Sequence, residues 1–229
     1  METPKVIFFD AVGTLFGIRG SVGASYAKIA LRHGVEVPAQ TLDVEFFSAF
    51  KQAGSPAFPN VSLSEISVME YDWWKQLVRA TFDGAGVLPQ FEDFDRFFAE
   101  LFTYFATAEP WELYPDTLVT LRQMYDRGIP LGILSNFDSR IYAVLRLLNL
   151  AQYFQSVTIS TEAGAAKPDS RIFQIALQKH GCRPEEAWHV GDSLEEDYRA
   201  AKAVGLRGIW LSRRAGLPSL SGSVRYPAD

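Results

Sequence analysis

Short β-prone runs recur along this chain at the intervals that a parallel sheet with crossover helices needs. Val6-Ile7-Phe8-Phe9 comes first, bounded by Pro4 and Gly13. Ile129-Pro130-Leu131-Gly132-Ile133-Leu134, Ser156-Val157-Thr158-Ile159, Ala187-Trp188-His189-Val190 and Gly208-Ile209-Trp210-Leu211 follow in the second half. Between them apolar residues fall three and four apart, as in Ile141, Leu145 and Leu148, or Ile172, Ile175 and Ala176. That spacing is the period of helices packed on one face. Strands alternating with helices imply βαβ units, and their apolar runs read as strands buried on both faces. The expected fold is α/β: a doubly wound parallel, Rossmann-like sheet. Pro130 stands at the start of its run, where a strand tolerates proline.

Between residues 18 and 111 the pattern changes. No comparable β-rich run occurs there, and helical stripes take over. Phe94, Phe97, Phe98, Leu101, Phe102 and Phe105 form one; Met69, Trp73, Leu77 and Ala80 form another. Gly54–Leu63, with Pro56, Pro59 and Asn60, reads as a turn-rich break. The expected organisation is a sheet domain of residues 1–17 and 112–229, with an α-helical cap of residues 18–111 inserted after its first strand. The stripes read as core. The Gly, Ser and Pro residues after Arg213 read as irregular chain.

Composition narrows the class. Hydrophobic residues at 48% and aromatics at 14% supply a sizeable core and exclude a disordered chain. A net charge of −5 without a Lys/Arg cluster argues against nucleic acid and anionic membranes as partners. The N-terminal apolar run is too short for a signal peptide, and no run approaches the roughly 20 residues of a membrane span. One cysteine, Cys182, excludes an internal disulfide and a Cys-rich zinc site. A cytoplasmic protein is expected.

Ligands of open parallel sheets bind beyond the carboxyl ends of the strands. The residues there are Asp10, Ser135 with Asn136, and Gly191-Asp192-Ser193, while Lys167 lies in the connection after the third strand. Each has a plainer reading. Asp10 and Gly191-Asp192 suit turns, and Lys167-Pro168-Asp169 suits a solvated lysine before a helix cap. Together an acid, a hydroxyl, a cation and a second acid suit phosphoryl chemistry. His33, His180 and His189 lack ligand-type spacing, and His189 reads as a satisfied core histidine. Cys182 reads as an ordinary thiol.

Phe8-Phe9-Asp10-Ala11-Val12-Gly13-Thr14-Leu15-Phe16 resembles the first motif of the haloacid dehalogenase superfamily of hydrolases. Ile133-Leu134-Ser135-Asn136 looks like its second, Lys167-Pro168 its third, and Gly191-Asp192-Ser193-Leu194-Glu195-Glu196-Asp197 its fourth. Their order and spacing match, and the helical insert is similar to the cap of the type-one subfamily. Ser135-Asn136-Phe137-Asp138, Thr161-Glu162-Ala163-Gly164 and Trp73-Trp74 look closest to the branch called haloacid dehalogenase-like hydrolase domain-containing protein three. By analogy a further strand or helix is expected beyond Pro227-Ala228-Asp229.

The resemblance implies roles. Asp10 would be a nucleophile forming an aspartyl-phosphate. Mg²⁺ would sit between Asp10, the backbone carbonyl of Val12 and Asp192. Ser135 and Asn136 would bind phosphate, and Lys167 would neutralise phosphate and nucleophile. Asp197 reads either as an orienting group behind the metal ligands or as a first-turn helix acid.

Position 12 departs from the family. Its phosphatases carry a second aspartate there, which protonates the leaving group; valine transfers no proton, and such help is worth about 10²–10⁴-fold. The expected activity is Mg²⁺-dependent hydrolysis of a small phosphorylated molecule, with weak turnover. A 2-haloacid dehalogenase stays open, although such enzymes lack the metal and the acidic fourth motif. A phosphonate hydrolase would need a cap lysine, for which Lys51 is the candidate; a solvated helix lysine is the plainer reading. A catalytically impaired phospho-ligand binder is the alternative from another class. The substrate, its cap contacts and the oligomeric state stay open.

Overall fold

The computed structural model describes residues 3–213, so the irregular tail expected after Arg213 lies outside the described residues. Strand β1 (Val6–Phe9) is buried at every position, and its side chains divide by parity. Ile7 and Phe9 enter one apolar cluster, Val6 and Phe8 another. A strand has period two, so a run buried throughout must have a layer on each face. The same holds for β4 (Leu131–Ser135), where Leu131 and Ile133 point one way and Leu134 the other.

The remaining parallel strands are β5 (Ser156–Ile159), β6 (Ala187–Gly191) and β7 (Arg207–Trp210), in spatial order β5-β4-β1-β6-β7. Helices α5 (Thr117–Asp126) and α6 (Ile141–Leu147) cover the Ile7/Phe9 face. Helices α8 (Ser170–His180) and α9 (Ala200–Val204) cover the other. The short α7 (Ser160–Ala163) follows β5 directly. The expected α/β class is met: a doubly wound, Rossmann-like parallel sheet. Order reverses at β1, which has β4 on one side and β6 on the other. That reversal opens the crevice where such sheets bind ligands.

Four helices precede α5: α1 (Val22–Arg32), α2 (Ala39–Ala53), α3 (Leu63–Gly84) and α4 (Phe94–Tyr104). Ser21 caps α1 by accepting from Ala24 N at 3.0 Å, and Asp93 caps α4 by accepting from Arg96 N at 2.9 Å. Their apolar faces share a third cluster that includes Ile29, Leu42, Phe82, Phe97 and Leu101. The stripe on α4 packs as its spacing predicts, with Phe94, Phe97, Phe98 and Leu101 buried.

Helix α3 differs from its expected stripe. Its buried residues are Ile66, Glu70, Leu77, Val78, Thr81 and Phe82, while Met69 stays 37% exposed. Hydrophobic period alone places Met69 inside; the helix instead turns Glu70 inward, where donors from the sheet side meet its carboxylate. A second difference lies at the edges of the insert. Strand β2 (Phe16–Ile18) pairs antiparallel with β3 (Trp111–Leu113), joining the two chain crossings in a short ribbon. Three-residue strands carry too little periodicity to be seen in sequence. Among the described residues no helix is long and apolar enough to cross a membrane.

Phe97 is fully buried, with the rings of Phe82, Phe91 and Phe94 within 5.6 Å centroid to centroid. Phe97→Ala is expected to cost about 3–5 kcal/mol, the usual range for emptying a buried phenyl site. Urea unfolding checks it, and a loss below about 1 kcal/mol would contradict this packing.

Candidate active site

Asp10 ends β1, its N–H donating to the Val190 carbonyl at 2.9 Å. Its carboxylate is 7% exposed by residue and meets different groups on its two oxygens. Oδ1 accepts from Ser135 Oγ at 2.9 Å and from Lys167 Nζ at 2.8 Å. Oδ2 accepts a long bond from Thr14 Oγ1 at 3.4 Å, and the same hydroxyl lies 3.3 Å from Asp192 Oδ1. Gly13 makes that approach of Asp10 and Asp192 feasible. It adopts φ +89°, and a Cβ there would lie 2.4 Å from Asp192 Oδ2.

Lys167 is buried, and its ammonium also donates to Asp197 Oδ1 at 2.5 Å. Asp197 sits in the π-helical turn Leu194–Arg199, which opens on the Ser193 cap and brings the carboxylate back against Gly191. A Cβ at Gly191 would overlap it at 2.1 Å. Asp197 also accepts from Ser193 N at 3.0 Å and pairs with His189 Nε2 at 2.8 Å. Asn136 braces the lysine from the other side: its Oδ1 accepts from Lys167 N at 2.7 Å and its Nδ2 donates to Lys167 O at 2.9 Å. Glu196 accepts from the same Nδ2 at 3.2 Å.

Burial alone would lower the Lys167 pKa, but Asp10 and Asp197 outweigh it and hold the ammonium well above its ordinary value. Burial likewise opposes ionisation of Asp197, yet Lys167 and then His189 hold it well below the usual carboxylate range. Asp192 lacks such a partner. Partial burial and then the charges of Asp10 and Asp197 push it up to about 6. Glu196 is raised by burial despite the Lys167 charge. Four carboxylates therefore face one ammonium.

All the expected site residues except Val12 join one hydrogen-bonded network: Asp10, Ser135, Asn136, Lys167, Asp192 and Asp197. Val12 packs against the apolar cluster that holds Ile18, Trp111 and Phe137. Asn136 commits both ends of its carboxamide to Lys167, which gives it a bracing position. Three participants were given no role in the site by the sequence reading: Thr14, His189 and Glu196. His189 is a core histidine, as expected, but half satisfied, since its Nδ1 has no hydrogen-bond partner among the described residues. A polar residue in the middle of an apolar strand was its one sequence signal. His33 and His180 lie elsewhere, against Glu100 and Ser156.

Carboxylate oxygens of Asp10, Asp192 and Asp197 lie within 4.8 Å of one another, two of these residues buried and one exposed. Hard oxygen donors in excess of local positive charge suit Mg²⁺. Asp197 is already occupied by Lys167, His189 and Ser193, which leaves Asp10 and Asp192 as the carboxylates that could hold the ion.

A family model described as "Hydrolase: haloacid dehalogenase-like hydrolase" matches residues 4–205. The chain belongs to the haloacid dehalogenase-like hydrolases. Bovine haloacid dehalogenase-like hydrolase domain-containing protein 3 is 35% identical over 221 residues, covering 96% of this chain and 87% of the relative. The resemblance to that branch is thus met. A haloacid dehalogenase-family phosphatase of Thermococcus onnurineus shares the fold with a TM-score of 0.61 at 24% identity, over 96% of this chain and 90% of its own. So does the L-2-haloacid dehalogenase of Xanthobacter autotrophicus, with 0.63 at 21%, over 89% and 76%.

Because its folded pKa is raised, ionised Asp192 opposes folding of the metal-free protein, and this strain appears as pH rises through about 6. Asp192→Asn is expected to raise the metal-free Tm at pH 8 and to leave it nearly unchanged at pH 4. Scanning calorimetry with and without Mg²⁺ checks this. Added Mg²⁺ should stabilise the wild type and lose that effect in the variant; an equal Mg²⁺ shift in both would remove Asp192 from the cation site.

Proposed function

We propose that this hydrolase cleaves a small phosphorylated molecule through an aspartyl-phosphate on Asp10, with Mg²⁺ as cofactor. The observation that carries the reading is the division of labour on Asp10. Its Oδ1 faces the hydroxyl and ammonium that can hold a phosphate, and its Oδ2 faces the unneutralised Asp192. Asp10, the Val12 carbonyl and Asp192 would hold the ion, which when bound supplies the charge that lets a carboxylate and a phosphate approach.

The chain's own groups do the rest. Ser135 Oγ, now donating to Asp10, can turn to a phosphate oxygen. Lys167 stays charged throughout, because Asp197 keeps a counter-charge on its far side. Asp10 displaces the leaving group and is regenerated by water. His189 and Ser193 hold Asp197 in place, and Asn136 holds the backbone of Lys167.

A dehalogenase reading fits less well. An apolar cavity of about 70 Å³ under the helices is lined by Val22, Tyr26, Trp74, Phe102, Phe137 and Arg140, among others. Its cation is already paired: Arg140 Nη2 lies 2.6 Å from Asp138 Oδ2. The carboxylate of a 2-halo acid would find no free charge in it. The phosphonate reading loses its lysine, since Lys51 is exposed in the last turn of α2.

A second reading, a slow enzyme that chiefly binds its phospho-ligand, is favoured by Val12. Its own side chain carries no proton to donate, and it packs against an apolar cluster. Aryl and acyl phosphates, whose leaving groups need little protonation, are therefore the expected substrates of measurable turnover.

Asp10→Asn is expected to abolish release of phosphate from an aryl phosphate, and chelator should do the same to the wild type. Near wild-type turnover in the variant would exclude Asp10 as nucleophile. Halide release from a 2-halo acid in the presence of chelator would overturn the phosphatase reading.

Val12→Asp is expected to raise alkyl phosphate turnover by about one to three orders of magnitude, within the range of general acid–base catalysis. The apolar neighbours of position 12 would keep a new carboxyl protonated to higher pH, which suits a donor, at some cost in stability. Steady-state kinetics with an aryl and an alkyl phosphate at fixed Mg²⁺ measure the effect. Efficient alkyl phosphate hydrolysis by the wild type, with no gain in the variant, would assign the proton to another residue.

A further inference from the structure

Glu70 is the least expected buried residue of the helical insert. It lies on α3 at 1% exposure, and a glutamate at that depth needs partners. None of them is a cation. Its Oε1 accepts from Ser139 N at 2.9 Å and from Thr161 Oγ1 at 2.6 Å, and its Oε2 accepts from the Ser139 hydroxyl. All three donors belong to the sheet side of the molecule, on the β4–α6 connection and on α7.

One helical turn on, Trp74 shares the same face of α3, as positions four apart do. Its Nε1 donates to Asp138 Oδ2 at 2.7 Å. Asp138 is itself 1% exposed and accepts from Arg140 N and Nε, each at 2.9 Å. The Arg140 guanidinium lies 4.9 Å from the Trp74 ring and 4.1 Å from that of Phe102, and its Nη1 donates to the Phe102 carbonyl at 3.3 Å. Helices α3 and α4 thus both grip Asp138–Arg140. That segment starts three residues after Ser135, the hydroxyl on Asp10, and two after Asn136, the brace of Lys167. The insert reaches Asn136 as well, through Ser55 Oγ at 3.3 Å.

We infer that Glu70 is a positioning residue: by holding Ser139 and Thr161 it seats the helical insert on the β4–α6 connection and so fixes Ser135 and Asn136 against Asp10 and Lys167. The inference rests on the reading of Ser135 and Lys167 as the phosphate-holding groups. Trp74 is the second point of the same clamp. Among the described residues neither side chain is hydrogen-bonded to Asp10, Ser135 or Lys167, so both act through the connection.

The test compares the full-length wild type with Glu70→Ala, Glu70→Gln and Trp74→Phe, using Phe97→Ala as a control destabilised far from the connection. Three quantities are read: amide hydrogen exchange over residues 136–140, kcat and KM for an aryl phosphate, and Mg²⁺ affinity by calorimetry. Glu70→Ala is expected to speed exchange of the Ser139 amide by about tenfold to a hundredfold, because that N–H loses a carboxylate partner. It should lower kcat roughly tenfold or more, the scale of a small misplacement of catalytic groups, while Mg²⁺ affinity holds. Glu70→Gln, which keeps one acceptor oxygen, should fall between, and Trp74→Phe should show a weaker form of the same pattern. Unchanged exchange over 136–140 in Glu70→Ala would overturn the inference. So would a kcat loss no larger than that of Phe97→Ala at matched stability. If the wild type turns over no phosphate, orthovanadate affinity replaces kcat. Should the wild type bind no vanadate either, the phosphatase reading falls, and the exchange data alone decide whether Glu70 fixes the connection.

Discussion

The buried ammonium of Lys167 is the charge on which the rest of the site depends. Asp10 and Asp197 both lie below the surface against one cation, 2.8 Å from the first and 2.5 Å from the second. Removing one partner of such a buried cluster typically costs about 3–5 kcal/mol, since the others are left desolvated and uncompensated. The structure surrounds the lysine accordingly. Asn136 clasps its backbone in two reciprocal bonds, and His189 and Ser193 hold Asp197 against it. Geometry at Asp10 and stability of the sheet edge are therefore one problem, solved by the same hydrogen bonds.

Much of this was legible in the sequence, for definite reasons. Val6–Phe9 and its partners are buried on both faces, so their apolar runs survive without alternation and mark a parallel sheet. Once the sheet is parallel, its carboxyl edge is fixed, and Asp10, Ser135 and Asp192 stand there by position alone. Lys167 was legible as a companion in a connection, although not as a buried one. What escaped depends on encounters between remote segments. Glu70 reads as a surface residue until Ser139 and Thr161, some seventy to ninety positions away, supply its donors. His189 reads as ordinary core until the turn at Leu194–Arg199 returns Asp197 to it. The β2–β3 ribbon has three residues per strand and leaves no pattern.

Fold membership narrows the chemistry without deciding it. A phosphatase and a dehalogenase superpose on this chain about equally well, with TM-scores of 0.61 and 0.63. What separates such activities is a few side chains around a shared aspartate. Here Asp192 faces Asp10 across the Thr14 hydroxyl, which argues for a cation, while Val12 withholds the proton donor expected of an efficient phosphomonoesterase. These two residues pull the functional reading in different directions. A site can keep the electrostatics that bind an oxyanion while lacking the acid that expels its leaving group.

The charge balance also sets an order for binding. Asp10, Asp192, Asp197 and Glu196 lie around a single ammonium, and Asp192 adds its charge as pH rises through about 6. At separations of a few ångströms such charges repel an incoming phosphate, the buried Asp10 and Asp197 more strongly than the solvent-exposed Asp192. Lys167 relieves this only in part, since its attraction is already divided between two carboxylates. If Ser135 holds a phosphate as proposed, a second positive charge on the Asp10 Oδ2 and Asp192 side would have to be added first. On the proposed function, the same excess that would draw a divalent cation would also guard Asp10 against anions until that cation had arrived.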